Sequence, residues 1–362
     1  MKKIRIGIIG TGGIANSHIN AYKNFEDVEI VAGADIIPGK VADFFKNHDL
    51  PNALTFERHE ELLELDLDGV SICTYNSTHS VCTIDALNSD KHVLLEKPMS
   101  VTLEEAVEMV KTEKKTGKIL TIGFQPRYDP NMQMIKEIVQ SGSLGKIYYV
   151  QTGGGRRRGI PGGTFIQSEL AGVGALADIG CYSLDMALNT LGYPKPLTVS
   201  AYSSSYFGTN PKYCNESEKF NVDDFSSAFI RLEGGIVLDF KVSWAMHMDT
   251  MGDTLFLGTD AGLKVKSPGL GSPWGGAWDG GVGPISIFQD VVGQQSETTI
   301  PLKENGGQSL FEQKVRAFVD SIKDNTTAPI PTSQILYNQA ILDGIIRSSK
   351  CGHEVEIIIP VI

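Results

Sequence analysis

The chain has 362 residues, of which 41% are hydrophobic and 21% charged, with a formal net charge of −11. That length supports two domains with separate cores, and the composition is that of a globular protein rather than a disordered or collagen-like one. The acidic balance repels phosphate backbones and argues against nucleic acid as a partner, and no apolar run approaches the roughly 20 residues that cross a bilayer.

The N-terminal MKKIRIGIIG sets two lysines before a short apolar run. Glycines follow at once and no small-residue cleavage site closes it, so it reads as a first strand, Ile4 to Ile9, and not as a signal peptide. Gly10-Thr11-Gly12-Gly13-Ile14-Ala15 comes next, and then a helix to about Asn24. Val28 to Ala34 reads as a second buried strand, ended by Asp35. Val70 to Thr74 and Val93 to Leu95 read as further strands, with a helix from His79 to Asn88 between them. Thr102-Leu103-Glu104-Glu105 is a capping box opening a helix to about Lys115. Ile119 to Gly123 is one more strand. This alternation predicts a parallel, doubly wound sheet, a dinucleotide-binding Rossmann domain over residues 1–123.

The pattern changes after Gly123. Met132 to Gln140 reads as a helix and Ile147 to Val150 as a strand. The stretch ALADIGCYSLD at 175–185 reads as a helix in which Tyr182 lies four residues after Asp178 and three before Asp185, so all three share a face. Strands then come in succession: Leu197–Ser203, Ser226–Leu232, Ile236–Trp244 and Thr254–Gly258, with Glu233-Gly234-Gly235 as a hairpin turn. Residues 267–283 are glycine-rich and carry Trp274 and Trp278, a loop over a site or a subunit contact. A capping box at Ser309 to Glu312 opens a helix with the apolar stripe Phe311, Val315, Phe318, Val319 and Ile322. Gln334 to Ser349 is the last helix and Glu354 to Ile359 the last strand. The expectation for 124–362 is a second α/β domain on an open, mainly antiparallel sheet. One face of that sheet is left without helices, which predicts a homo-oligomer, dimer or tetramer.

The glycine turn carries the first chemistry. Gly10 permits a tight turn, Gly12 lets backbone approach a pyrophosphate, and small Ala15 allows close helix–strand packing. The helix start offers free N–H groups and positive potential. Asp35, at the end of the second strand, can accept from both ribose hydroxyls and repels a 2′-phosphate, which points to NAD over NADP. Lys40 nearby weighs the other way. Glu96-Lys97-Pro98 follows a buried strand, and strand ends line the ligand crevice of such sheets. A lysine there can exchange a proton with a carbinol oxygen. Arg156-Arg157-Arg158 is either a solvated loop or a local anion or sugar contact. The five cysteines are scattered and odd in number, which suggests reduced thiols in a cytoplasm. No CxxC or HxxxH spacing suggests a metal.

GTGGIA after the first strand, TYNSTH at 74–79, EKP at 96–98, GFQPRYDP at 123–130 and the DIGxYxxD pattern at 178–185 resemble the Gfo/Idh/MocA oxidoreductases in order and spacing. VSWA at 242–245 resembles a later family strand. The resemblance implies a Rossmann domain joined to an α/β domain, and NAD(P)-dependent oxidation or reduction of one carbinol of a sugar, glycoside or cyclitol. It implies that Gly10, Thr11, Gly12, Gly13, Ile14, Asp35, Thr74, Asn76, His79, Glu96 and Lys97 meet the cofactor. It assigns Lys97 and Asp178 to substrate and proton handling, with Arg127, Tyr128 and Arg156 near substrate. Many relatives have histidine four residues after the DIG aspartate. Tyr182 stands there in this chain, as in the branch that includes dimeric dihydrodiol dehydrogenases and glucose–fructose oxidoreductase. Either the phenol relays a proton, or it only packs while Lys97 works alone. Asp185 either orients Tyr182 or Lys97, or serves packing. His79 could instead face water, and Arg127 or Tyr128 could hold a structural ion pair.

The leading expectation is therefore an NAD-dependent sugar or polyol dehydrogenase. One alternative is an NAD-dependent glycosidase or lyase that oxidises its sugar transiently. The other is a non-catalytic dinucleotide-binding regulator, against which the joint presence of Lys97, Asp178 and Tyr182 speaks.

Overall fold

In the computed structural model, which describes residues 3–267, 275–276, 281–304 and 306–360, Ile4–Ile9 (β1) is the central strand of the first sheet. Gly13–Lys23 (α1) follows, then Val28–Ala34 (β2), Lys40–Asn47 (α2), Leu54–Phe56 (β3), His59–Leu63 (α3) and Gly69–Ile72 (β4). His79–Asn88 (α4), His92–Leu95 (β5), Leu103–Thr116 (α5) and Leu120–Ile122 (β6) complete the run. The strands are all parallel, in the order β3-β2-β1-β4-β5-β6. This is the doubly wound order, with its reversal between β1 and β4. The capping box forms: Glu105 N donates to Thr102 Oγ1 at 3.2 Å, and Thr102 N donates to Glu105 Oε2 at 3.2 Å.

The remaining elements are Pro130–Gln140 (α6), Ile147–Gly155 (β7), Ser168–Ala171 (α7), Cys181–Leu191 (α8), Pro196–Ser204 (β8), Phe225–Leu232 (β9), Ile236–Ser243 (β10), Thr254–Gly258 (β11) and Ala261–Val265 (β12). Then come the short pair Gly275–Gly276 (β13) and Gly281–Val282 (β14), Ile285–Val291 (β15), Gln294–Ile300 (β16), Leu310–Lys323 (α9), Thr332–Cys351 (α10) and Val355–Glu356 (β17). Nine of the strands form one sheet, β16-β15-β12-β11-β7-β10-β9-β8-β17. It is antiparallel except where β7 and β10 run together. The β9–β10 hairpin turns at Gly234 and Gly235, both with positive φ. Strands β15 and β16 lie beyond those the sequence predicts. Their side chains are largely exposed, so β16 (QQSETTI) shows little of the apolar signal that marks a buried strand. Trp274 and Trp278 of the glycine-rich segment lie outside the described residues.

By contacts the chain divides into two units. One is Met1–Gln125 with Phe311–Leu336 and Pro360–Ile362; the other is Pro126–Leu310 with Tyr337–Ile359. The first unit thus takes in most of α9, whose Val315, Phe318 and Val319 join Ile6, Ile8, Ile19 and Leu94 in one core. In the second unit Val150, Ile230, Phe240, Val242, Phe256 and Leu263 are the buried face of the large sheet. Its other face carries Tyr202, Phe229 and Phe288, which are exposed, and the half-buried Tyr149 and Leu255.

Candidate active site

Parallel strands end on one edge of the sheet, so the turns after β1, β2, β4 and β5 gather the first unit's predicted residues there. Gly10 has φ +84°, and a Cβ on it would come within 2.7 Å of Thr74 N, so only glycine fits against the β4 turn. Gly12 and Gly13 meet nothing within 4 Å of where a Cβ would sit. No side chain caps α1, and its first turn has no acidic residue. Its N–H groups are therefore left for an anion. Among the described residues, the buried Thr74 hydroxyl has no hydrogen-bond partner. An open glycine turn, an uncapped helix and an unsatisfied hydroxyl on one edge fit a dinucleotide pyrophosphate.

Asp35 ends β2 beside this turn. Its Oδ2 accepts from Thr11 N and Thr11 Oγ1, both at 2.9 Å, and from Lys40 Nζ at 2.7 Å; Oδ1 accepts from Ile37 N at 3.1 Å. Burial works against ionisation, but the Lys40 ammonium and the Thr11 and Ile37 donors outweigh it and hold the carboxyl below its usual range. Asn76 opens the single turn Asn76–Thr78 ahead of α4. His79 is buried, with Nδ1 2.8 Å from Pro98 O and Nε2 3.2 Å from Thr74 O. Burial lowers its pKa, so the ring is neutral and its single N–H donates to one of these carbonyls, the nearer being Pro98 O. From Val93 to Ser100 every residue is buried except Lys97. Glu96 is buried among His18 and Lys314.

In the second unit, Leu176–Gly180 is a turn of π-helix that runs into α8. A wide turn of this kind takes up an extra residue and interrupts the α-helical stripe. From Gly174 to Thr190 every residue is buried except Asp178, Ile179 and Tyr182. Asp185, expected on the same stripe, is turned inward. Asp223 holds the start of the segment: its Oδ1 accepts from Gly174 N at 2.7 Å and its Oδ2 from Leu176 N at 2.9 Å. Trp244, fully buried, donates from Nε1 to Asp178 Oδ2 at 2.9 Å. The indole of VSWA thus fixes the DIG aspartate, a role its place in a strand did not reveal.

Two models of one family match in tandem. "Oxidoreductase family, NAD-binding Rossmann fold" covers residues 4–124, and the "GFO/IDH/MocA C-terminal domain" covers 132–264. The chain belongs to the Gfo/Idh/MocA oxidoreductase family. A D-glucoside 3-dehydrogenase of Escherichia coli is 29% identical over 98% of this chain and 97% of its own length. A myo-inositol 2-dehydrogenase of Thermotoga maritima is 32% identical over 40% of this chain and 42% of its own. Among solved structures, a levoglucosan dehydrogenase in complex with NADH and levoglucosan has the same fold. Its TM-score is 0.83 at 20% identity, covering 98% of this chain and 100% of that one. The protein is thus an oxidoreductase with an NAD-binding Rossmann domain.

The other predicted residues of this family member have varied surroundings. Arg127 makes a two-pronged pair with Asp185, Nε to Oδ2 at 2.9 Å and a terminal nitrogen to Oδ1 at 2.6 Å. The same guanidinium donates to the Tyr193 hydroxyl, which in turn donates to Asp185 Oδ1 at 2.8 Å. Asp185 thus accepts from both Arg127 and Tyr193. Tyr128 is half-buried, and burial pushes its phenol up to about 12 against the pull of Arg127. Arg156 Nη1 donates to Gly159 O at 3.2 Å, while Arg158 stacks over the rings of Phe207 and Tyr213. Among the described residues no group of His, Cys, Asp and Glu could hold a metal ion. No helix there is long and apolar enough to cross a membrane.

Proposed function

We propose that this protein is an NAD-dependent dehydrogenase acting on one carbinol of a sugar, glycoside or cyclitol in the cytoplasm. Lys97 and Tyr182 are its acid–base groups and Asp178 orients them. The observation that carries this is the pattern of burial. Lys97 alone is half-buried rather than buried along Val93–Ser100, and Asp178, Ile179 and Tyr182 alone along Gly174–Thr190. A charged or phenolic group kept partly exposed in an otherwise buried element is a functional-site candidate. The similarity to a glucoside dehydrogenase and an inositol dehydrogenase supports the substrate class. The Gly10–Ile14 turn, Asp35, Thr74 and Asn76 would hold NAD, which when bound would supply the hydride acceptor or donor. Lys97 accepts the carbinol proton as the carbonyl forms, and returns it in reduction. Tyr182 relays that proton, and Asp178, itself held by Trp244, keeps the pair aligned. Arg127, through Asp185, and Tyr128 shape the wall near substrate, and Arg156 meets its outer hydroxyls.

The test is a panel of monosaccharides, glycosides and inositols screened for NADH absorbance with NAD and, separately, NADP. Net NADH formation with at least one sugar or inositol is the expected result. Sugar release without net NADH would favour a glycosidase, and dinucleotide binding with no turnover would favour a regulator.

Cofactor choice rests on Asp35. NAD should bind about tenfold or more tighter than NADP, because a 2′-phosphate meets a carboxylate that Lys40 only partly offsets. Asp35→Ala should narrow the gap. Titrations of the native protein that favour NADP would overturn this.

The apolar outer face of the large sheet, with Tyr149, Tyr202, Phe229, Leu255 and Phe288, is covered by a second copy of the chain. Light scattering at micromolar concentration should give a dimer or tetramer mass; a monomer would refute it.

A further inference from the structure

One cluster of buried charge has no part in the hydride chemistry described above. Glu96, His18 and Lys314 are all inside the first unit, with Lys314 only 1% exposed. Glu96 Oε1 lies 2.7 Å from His18 Nε2 and 2.5 Å from Lys314 Nζ. His18 Nδ1 lies 3.1 Å from Ser71 Oγ, which lies 2.8 Å from the Tyr22 hydroxyl. The partners assign the protons: Tyr22 donates to Ser71, Ser71 to His18 Nδ1, and His18 Nε2–H to Glu96. Burial pushes the Glu96 carboxyl up, but Lys314 and His18 outweigh it and hold it ionised. Burial, and after it Lys314, keeps His18 neutral. The charged pair is thus Glu96 with Lys314, whose ammonium also stands 4.3 Å above the Phe311 ring.

A buried pair of this kind adds little net stability, because desolvation offsets most of the attraction. What it provides is position. Glu96 comes straight after β5 and directly precedes Lys97. His18 stands on α1, the helix that follows the glycine turn, and Lys314 on α9. A Cβ on Gly123 would come within 2.8 Å of Glu96 Oε1, so the carboxylate lies close against that backbone. On the other side of Lys97, Pro98 O is held by His79 Nδ1 at 2.8 Å. Lys97, itself half-buried, is therefore framed by two anchored residues. Cys73 after β4 and His79 of α4 also feel Glu96.

We propose that Lys314 is a positioning residue: with His18 it fixes Glu96, and through Glu96 it aims Lys97. This rests on the reading of Lys97 as the acid–base group. The experiment compares Glu96→Gln, Lys314→Met, the Glu96→Gln/Lys314→Met double variant and Lys97→Met. Melting temperature, NAD affinity, and kcat and KM across pH are measured for each. Either single variant of the pair leaves a buried charge uncompensated and should melt lower. The double variant leaves none and should recover most of that loss. Its kcat should nonetheless stay about tenfold or more below native, since small displacements of a catalytic group cost that much. Its NAD affinity should be near native. The limb of the pH profile that belongs to Lys97 should fall to lower pH in Glu96→Gln, which loses a neighbouring negative charge, and rise in Lys314→Met. A merely structural cluster would produce neither shift. Native kcat in the double variant, with unshifted limbs in the single variants and an impaired Lys97→Met, would overturn this proposal alone. A Lys97→Met enzyme with native kcat would overturn the reading of Lys97 and this proposal with it. Should the single variants fail to fold, kcat of the double variant decides.

Discussion

Lys97→Met is expected to lower kcat by about 10²–10⁴, the usual contribution of a positioned acid–base group. The substitution removes the proton carrier and its charge while keeping an unbranched side chain of similar length. Lys97 is the one half-buried residue of a buried turn, so the loss should fall more on chemistry than on folding. Tyr182→Phe keeps the ring and deletes the hydroxyl. If the phenol relays the proton, its loss should approach that of Lys97→Met with NAD affinity nearly unchanged. The double variant should then be little worse than either single one, because groups that act as a unit are not additive. If the ring only packs, Tyr182→Phe keeps most of its activity. Single-turnover stopped flow separates hydride transfer from product release. A native transfer rate in Tyr182→Phe would leave Lys97, oriented by Asp178, as the sole acid–base group.

Arg127→Met should destabilise the second unit by about 3–5 kcal/mol, the usual cost of leaving one member of a buried ion pair alone. Asp185 is 1% exposed and takes both prongs of the guanidinium. With the arginine gone, the Tyr193 hydroxyl is left as its short-range donor among the contacts described above. The buried carboxylate must then take up a proton, admit water or force a local opening. At this chain's size the loss corresponds to a melting shift on the order of 10 °C. Asp185→Asn in the Arg127→Met background removes the uncompensated charge and keeps an acceptor for Tyr193, so it should restore more than half of the shift. Calorimetry of the two variants checks this. An Arg127→Met protein that melts with the native one would show that the pair contributes no net stability.

Local signals in the sequence were enough for the parts whose physics is local. The Gly10–Ala15 turn was legible because a positive φ and close backbone approach demand glycine at Gly10, whatever surrounds it. The Thr102–Glu105 capping box and the bounds of His79–Asn88 were legible because caps and helical periodicity lie within a few residues of each other. Asp35 was legible from its place after a buried strand. The motif order carried the family, and with it the open mixed sheet.

Contacts between residues far apart in the chain were decided by the tertiary structure alone. Glu96 meets Lys314 across 218 positions, and no local pattern distinguishes that lysine from a solvated one on α9. Arg127 finds Asp185 across 58 positions, a partner that helical spacing around Tyr182 does not reveal. The π-turn at Leu176–Gly180 arises where Asp223 grips the start of the segment and Trp244 holds Asp178, so spacing along the segment could not reveal it. Propensity and spacing act over a few residues. Burial, charge pairing and helix register near a site are set by whichever distant side chain the folded backbone brings to hydrogen-bond distance.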